Sequence, residues 1–191
     1  MSLRCAPLWL AAGLLAACVS APPAALPGRD AVRDFALEAR FALRVTAPGE
    51  AAQSSGGRLS WEHRRGGDRV LISSPLGYGL AEIDITPTVS RLQTADGKTR
   101  ESADPDALME EVTGQRLPVS QLPAWLLGRS GGKALITSDD KQRPSSLREA
   151  GWLIEYAYDE ADPDALPSRL TLSQGSEIEL RLRIEEWKET P

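Results

Sequence analysis

Residues 177–187 read Glu-Ile-Glu-Leu-Arg-Leu-Arg-Ile-Glu-Glu-Trp, the clearest β-strand pattern in the chain. Apolar side chains at Ile178, Leu180, Leu182 and Ile184 alternate with charged ones. Because successive side chains of a strand point to opposite faces, one face of this strand is apolar and the other is charged. Such a strand is typical of an antiparallel sheet that has a core on one side and water on the other.

The same period of two recurs through most of the chain and predicts further strands. The predicted strands cover 40–45, 59–63, 70–73, 80–85, 89–94, 98–101, 152–158 and 168–173. The first two are expected to pair as a hairpin. Ala95-Asp96-Gly97 predicts a tight hairpin turn, because Asp-Gly tolerates positive φ. Consecutive strands joined by turns indicate a meander.

Three segments have helical spacing. Residues 29–39 carry Val32 and Phe35 on one side and predict a short amphipathic helix. Residues 104–113 predict a helix that Asp104 can cap. Residues 120–127 predict a second short apolar helix, whereas 129–143 is polar and has no clear pattern.

The order of strands, two helices and more strands predicts a mainly β protein with some α structure. We expect one long antiparallel sheet that curls, with the helices on one face. The helices could fill the apolar concave face or leave a cavity beneath them.

The N-terminal segment predicts export and lipidation. Arg4 precedes a short apolar run that ends in Leu15-Ala16-Ala17-Cys18, which resembles a bacterial lipobox. Residues 1–17 are then a signal peptide, and Cys18 carries the acyl chains, palmitate among them. The alternative is an ordinary signal peptidase site with Cys18 incidental. Bacterial lipoproteins that stay at the inner membrane often have Asp directly after the lipidated cysteine. Here Val19 occupies that position, so the expected location is the outer membrane.

We therefore expect three regions. Residues 1–17 are the signal peptide, residues 18–28 are a lipidated, Pro-rich flexible tether, and residues 29–191 are a single domain.

Composition and missing motifs exclude several functions. With 27 acidic and 22 basic residues the net charge is −5, and no basic cluster suits nucleic acid. His63 is the only histidine, and no Gly-x-Ser-x-Gly elbow or metal-ligand cluster is present. We expect no enzyme, no catalytic residue, no metal and no cofactor. The competing enzyme hypothesis is a hydrolase that pairs His63 with Ser73 or Ser74.

Pro75-Leu76-Gly77 places a leucine at a predicted turn tip. The pattern leaves two interpretations open. Leu76 could fold back onto the sheet, or it could be an exposed apolar finger for a membrane or an acyl chain.

Several motifs together resemble those of the LolB-type outer-membrane lipoprotein receptors. Their order and approximate spacing match that family from about Phe35 to Trp187. The matching pieces are Trp61, residues 74–77, 113–119 (Thr-Gly-Gln-Arg-Leu-Pro-Val), 122–128 (Leu-Pro-Ala-Trp-Leu-Leu-Gly), Gly151-Trp152 with Tyr156, 166–170 and 184–187. The block from Leu117 to Gly128 is the most specific of them.

The resemblance implies a fold, a function and partners. The fold is an incompletely closed antiparallel β-barrel whose helices cover an apolar cavity. Such a protein accepts lipoproteins from a soluble periplasmic carrier, binds their acyl chains and inserts them into the outer membrane, where a loop leucine, here Leu76, assists delivery. The implied partners are the carrier, acylated cargo and outer-membrane lipid, and the protein is expected to be a monomer. The candidate cavity residues are Trp61, Trp125, Leu126, Trp152, Tyr156 and Leu182.

One alternative from another class stays open. The chain could be a structural or small-lipid-binding envelope lipoprotein without transfer activity, with a sheet that is simply filled.

Overall fold

The computed structural model describes residues 28–47, 49–113 and 115–190. Its strands form one 11-stranded sheet in the order β6-β5-β4-β3-β2-β1-β11-β10-β9-β8-β7, and all neighbouring strands are antiparallel. The strands are β1 (Phe35–Val45), β2 (Gln53–Arg64), β3 (Gly67–Ser73), β4 (Gly79–Ile85), β5 (Ser90–Thr94), β6 (Thr99–Ser102), β7 (Leu135–Ser138), β8 (Pro144–Glu149), β9 (Trp152–Ala157), β10 (Arg169–Gln174) and β11 (Ile178–Lys188). The expected mainly β fold with a curled, incompletely closed antiparallel sheet is confirmed.

The expected signal peptide, Cys18 and most of the tether lie outside the described residues. None of the helices in the described ranges is long and apolar enough to cross a membrane.

Strand β1 joins the two halves of the sheet, because it pairs with β2 on one side and with β11 on the other. In β11 the apolar residues at 178, 182 and 184 are buried, as their alternation predicts. The pairing of β1 and β11 shifts register after Glu38, where one extra β11 residue forms a bulge.

The helix expected over 29–39 is wrong. Residues Arg29–Ala31 form one 3-10 turn, and β1 begins at Phe35. Phe35, Leu37 and Ala39 are buried at every second position. The alternation typical of a strand therefore begins at residue 35, within the segment for which a helix was predicted. Strands β2 and β11 provide hydrogen-bond partners for the backbone of this segment. This pairing outweighs the weak helical pattern of its sequence.

Helices α1 (Pro105–Thr113) and α2 (Leu122–Leu126) lie between β6 and β7 along the chain. The Asp104 carboxylate accepts hydrogen bonds from the backbone N–H groups of Asp106 (2.9 Å) and Ala107 (3.3 Å), so the predicted cap is confirmed. Helix α1 packs against β5 and β6, which brings it over the sheet at the β6 end.

The buried residues form one hydrophobic core, in which two parts can be distinguished. Around β8 to β11 and α2, in the part that we call the packed core, the large side chains are buried. Trp125, Leu147, Ile154, Leu170 and Leu172 are the main members of this packed core. Around β1 to β4, the sheet is less completely filled, and this region contains the site described next.

Candidate functional site

An apolar cavity of about 260 Å³ lies between the sheet and the segment that contains α1 and α2. Its lining comes from β1 to β4, β11, α1 and residues 117–122. The lining residues are Phe41, Leu43, Ser55, Leu59, Trp61, Val70, Ile72, Ile83, Ile85, Met109, Leu117, Val119, Leu122, Leu180 and Leu182. Ser55 is the only hydroxyl-bearing residue among them, so the cavity suits a hydrocarbon rather than a polar ligand.

Two of the six candidate cavity residues lie in this lining. Trp61 extends from β2 and is 3% exposed, and its indole Nε1 donates a 2.8 Å hydrogen bond to Asp68 Oδ1. Leu182 extends from β11 on the same face of the sheet. The indole N–H of Trp61 therefore has a hydrogen-bond partner, and the apolar face of the ring is free to contact a ligand in the cavity.

The other four candidates lie in the packed core rather than in the cavity lining. The Trp125 Nε1 donates a 2.7 Å hydrogen bond to Glu149 Oε2, and the Tyr156 hydroxyl donates one of 2.8 Å to the Trp125 carbonyl. The rings of Trp125 and Trp152 are 6.2 Å apart, and Leu126 is buried in the same region. Burial raises the pKa of Tyr156 far above its ordinary value. These residues fix α2 against β8 and β9.

The cavity is covered by Met109 of α1 and by the segment 117–122. Two sets of exposed ion pairs involve this cover, one within it and one that joins it to β6. Arg116 bonds Asp104 at 2.7 Å and Glu110 at 3.3 Å, and Arg100 of β6 lies 3.1 Å from Glu111. The hydrogen bond from the Arg116 guanidinium is the main cause that lowers the pKa of Asp104, and the hydrogen bond from the Ala107 amide lowers it further.

The covering segment is also tied to the start of α1. Both the backbone N–H and the hydroxyl of Ser120 donate 3.0 Å hydrogen bonds to the Asp106 carboxylate. These two bonds lie within the cover, whereas the exposed pair of Arg100 and Glu111 joins it to the sheet. Exposed ion pairs contribute little to stability, so the cover can separate from the sheet at a low cost in broken polar contacts.

Leu76 lies at the tip of the loop between β3 and β4 and is 85% exposed. The Gly77 N–H donates a 2.9 Å hydrogen bond to the Ser74 carbonyl, and the Ser74 N–H donates one of 2.8 Å to the Tyr78 carbonyl. Gly77 has φ +91°, a conformation that glycine adopts without strain. Of the two sequence interpretations, the structure has Leu76 exposed, at the end of a tightly bonded turn.

The exposed leucine and the cavity share one hairpin. The inward residues Val70 and Ile72 of β3, with Ile83 and Ile85 of β4, line the cavity. Sequence reasoning did not select these four residues for the site, although their alternation was visible as part of two predicted strands. Leu76 is thus joined to the cavity wall by one antiparallel pair, β3 with β4, which has a register shift after Ile72.

The residues of the competing hydrolase hypothesis, His63 with Ser73 or Ser74, do not lie together in the structure. In the pairing of β2 with β3, His63 is opposite Asp68 whereas Ser73 is opposite Arg58. Those positions are five residues apart along the strand, about 17 Å at 3.3 Å per residue. His63 Nδ1 instead lies 2.7 Å from Asp68 Oδ1. Over the described ranges, no group of three or more His, Cys, Asp or Glu side chains could hold a metal ion.

The chain is similar to known proteins along nearly its whole length. The family described as outer membrane lipoprotein LolB matches residues 33–187. An outer-membrane lipoprotein LolB of Dechloromonas aromatica is 67% identical over 184 residues, which cover 96% of this chain and 97% of that protein. The LolB of an Azoarcus species is 32% identical over 181 residues, covering 94% and 92%.

Among solved structures, a LolA superfamily protein from Nitrosomonas europaea is 13% identical with a TM-score of 0.48, covering 83% of this chain and 86% of that one. The family match and the two relatives confirm the resemblance stated from the motifs, and with it the outer membrane as the location. The chain belongs to the LolB family of outer-membrane lipoproteins.

Proposed function

We propose that this protein accepts acylated lipoproteins from a soluble periplasmic carrier, holds their acyl chains in its apolar cavity and delivers them to the outer membrane. The observation that carries this proposal is that one hairpin both lines the cavity and ends in the exposed Leu76. A lipid-binding cavity alone would suit storage, whereas an exposed leucine beside it suits transfer into a bilayer.

The proposed transfer needs no chemical energy. Each methylene of an acyl chain costs about 0.8 kcal/mol when it is exposed to water, so a free acylated protein does not cross the periplasm unaided. A chain that passes from the carrier into a cavity with higher affinity moves downhill in free energy. A second downhill step takes it from the cavity into the bilayer, where its whole length is buried.

Movement of the cover would enlarge the cavity for cargo. The cavity of about 260 Å³ has the exposed Ser55 in its lining, and it is slightly smaller than the roughly 300–1,000 Å³ of typical ligand pockets. Because Met109 and residues 117–122 form one wall, moving α1 away from β5 and β6 enlarges the space. The exposed ion pair between Arg100 of β6 and Glu111 of α1 is a polar contact that this movement breaks.

Within this proposal, Trp61 and Leu182 contact the acyl chain directly. Trp125, Leu126, Trp152 and Tyr156 support the site from the packed core, where they hold α2 against the sheet. Neither role involves bond making or breaking, so the protein acts as a binding and transfer protein and not as an enzyme.

The anchor completes the proposal. Cys18 carries the lipid in the periplasmic leaflet of the outer membrane, and residues 18–28 tether the domain of 29–191, which works as a monomer. Several acyl chains on one cysteine hold a protein to a bilayer far more firmly than one chain does.

The test is a reconstituted transfer reaction. Purified carrier loaded with a radiolabelled acylated lipoprotein is mixed with the mature protein anchored in phosphatidylcholine vesicles, and the label is followed by flotation. We expect the label to move from carrier to protein and then to vesicles without ATP. Cargo that remains on the carrier would contradict the proposal and would favour a structural envelope lipoprotein.

A further inference from the structure

The inner face of the sheet changes from apolar to polar next to the cavity. Ile85 of β4 lines the cavity, and Ser90 of β5 is its partner in the β4–β5 pair. On its other side, Ser90 is opposite Ser102 of β6. Directly opposite residues project from the same face of a sheet, with their Cβ atoms about 4.5–5.5 Å apart. Two hydroxyl groups therefore follow the apolar wall, on the two strands against which α1 packs.

The hydroxyl of Ser90 is buried and unpaired. Ser90 is 1% exposed, and its Oγ has no hydrogen-bond partner within the part of the chain that the structure describes. A buried hydroxyl without a partner lowers stability, and the large majority of buried polar side-chain atoms in proteins have one. Ser102 differs, because its Oγ accepts a 3.1 Å hydrogen bond from the Asp104 N–H. Ser90 therefore offers a donor that the protein itself does not use.

The proposed movement of α1 uncovers this hydroxyl. Helix α1 packs against β5 and β6, the strands that carry Ser90 and Ser102. The ion pair between Arg100 and Glu111, which joins α1 to β6, lies on the same face. Arg100 projects from that face because it is opposite the buried Leu92. With α1 displaced, the enlarged cavity has an apolar wall at β1 to β4 and a hydroxyl-bearing border at β5 and β6.

A ligand of matching polarity has a hydrocarbon chain that ends in a carbonyl group. The acyl chains of a lipoprotein have this form, since each is attached through an ester or amide carbonyl. A carbonyl that is buried without a hydrogen-bond donor is unfavourable. The cavity lining supplies the hydroxyl of Ser55, an exposed residue of β2, whereas Ser90 is a buried donor directly beside the apolar wall. Ser90 therefore suits the polar end of an acyl chain whose hydrocarbon fills the cavity.

We propose that the Ser90 hydroxyl donates a hydrogen bond to an ester carbonyl of the bound cargo once α1 has moved from β5 and β6. The hydrocarbon then lies along β1 to β4, and the ester linkage lies at β5. No covalent bond forms or breaks. Ser90 makes the site select the acyl linkage, whereas the apolar wall discriminates weakly between hydrocarbons. This inference rests on the proposed function, since it names the chemical group of the cargo that the same site recognises.

The test compares an ester-linked ligand with an ether-linked one. The first probe is a peptide whose N-terminal cysteine carries a glyceryl group with two palmitoyl chains in ester linkage. The second probe is the same peptide with hexadecyl chains in ether linkage, so it lacks the carbonyl groups. Each radiolabelled peptide is loaded on the carrier and mixed with the full mature chain carrying Cys18→Ala, which removes any acyl chains of the protein that would compete. The label on each protein is measured after separation.

Adding Ser90→Ala should lower uptake of the ester peptide about fivefold, equivalent to about 1 kcal/mol, and leave uptake of the ether peptide unchanged. Ser54→Ala removes an exposed hydroxyl from the start of β2 and should change neither. Unchanged ester uptake in Ser90→Ala, or equal losses for both peptides, would overturn the inference. Failure of the protein with Ser90 intact to take up either peptide contradicts the proposed function itself.

Infrared spectroscopy tests the contact directly. A hydrogen bond to an isotopically labelled ester carbonyl shifts its stretching band to lower wavenumber. We expect this shift in the complex with Ser90 intact and its loss in Ser90→Ala and in Ser90→Cys, which keeps a similar volume but is a weak donor. The urea midpoint of Ser90→Ala should not fall, because the hydroxyl that it loses has no partner within the described residues. A band at the same position in all three complexes would contradict the inference.

Discussion

The indole Nε1 of Trp61 donates a 2.8 Å hydrogen bond to Asp68 Oδ1 across the β2–β3 pair. The same carboxylate oxygen lies 2.7 Å from His63 Nδ1. Asp68 therefore connects two aromatic side chains at the end of the hairpin opposite Leu76. Because Trp61 also lines the cavity, this carboxylate determines how the ring is presented to an acyl chain.

Asp68→Ala should reduce both stability and acyl-chain binding. Removing the carboxylate leaves a nearly buried indole N–H without its acceptor, which costs about 1–3 kcal/mol. Urea unfolding should show this loss in the free energy of unfolding. Asp84→Ala removes an exposed carboxylate on the neighbouring strand and is the control, with an expected change within about 0.5 kcal/mol. Equal effects of the two substitutions would contradict the role given to Asp68.

Filling the cavity should block binding while leaving the fold in place. Val119→Trp adds a large apolar side chain to the cover, where it can occupy part of the 260 Å³ beneath it. We expect uptake of acylated cargo from the carrier to fall at least about tenfold, equivalent to about 1.4 kcal/mol, with far-UV circular dichroism unchanged. Val89→Trp, in an exposed turn outside the cavity lining, should leave uptake as it is. Undiminished uptake by Val119→Trp would place the acyl chains elsewhere.

Leu76→Glu should stop delivery without changing stability. The side chain is 85% exposed and the turn is held by backbone hydrogen bonds, so a carboxylate is accommodated in the folded protein. In a bilayer the same carboxylate is expensive, and cargo should remain on the protein. Flotation of labelled cargo measures the loss, and unfolding in urea checks the fold. Leu135→Glu is the matched control, and normal delivery by Leu76→Glu would refute the role of this loop.

Alternation was sufficient to predict the strands that are buried on one face. Strands β9, β10 and β11 were predicted to within one or two residues, because their apolar positions recur at every second residue. Strand β7 was missed because residues 135–138 are all exposed at the edge of the sheet, so no burial pattern marks them. Strand β8 was missed because Leu147 is the only large apolar residue in it.

The site was only partly predictable from sequence. Pro75 and Gly77 predicted only that Leu76 lies at the tip of a turn, and its exposure was expected from the family resemblance alone. Alternation shows that Trp61 and Tyr156 face the interior, but it does not show which part of the interior. Whether an interior residue lines the cavity or belongs to the packed core depends on where α1 and α2 lie over the sheet. This placement is a tertiary contact, and hydrophobic periodicity in the sequence does not predict it.

Alkaline pH should destabilise the protein through the half-buried Tyr158 and the buried Tyr156. Burial raises the pKa of Tyr158 from 10.0 to about 12, and its hydroxyl donates a 2.8 Å hydrogen bond to the Pro144 carbonyl. A pKa that is higher in the folded state means that the stabilisation is fully present below pH 10 and is lost as the pH rises towards 12. The free energy of unfolding in urea should therefore fall over this range, and Tyr158→Phe should make the fall less steep.

Tyr156 provides a second case, because burial raises its pKa as well. Tyr156→Phe should also reduce the slope, although it removes the 2.8 Å hydrogen bond to the Trp125 carbonyl and so lowers stability at neutral pH. Tyr78→Phe, at an exposed ring with no packing to lose, is the control and should leave the slope in place. An unchanged slope in both buried-site variants would show that other groups govern unfolding at alkaline pH.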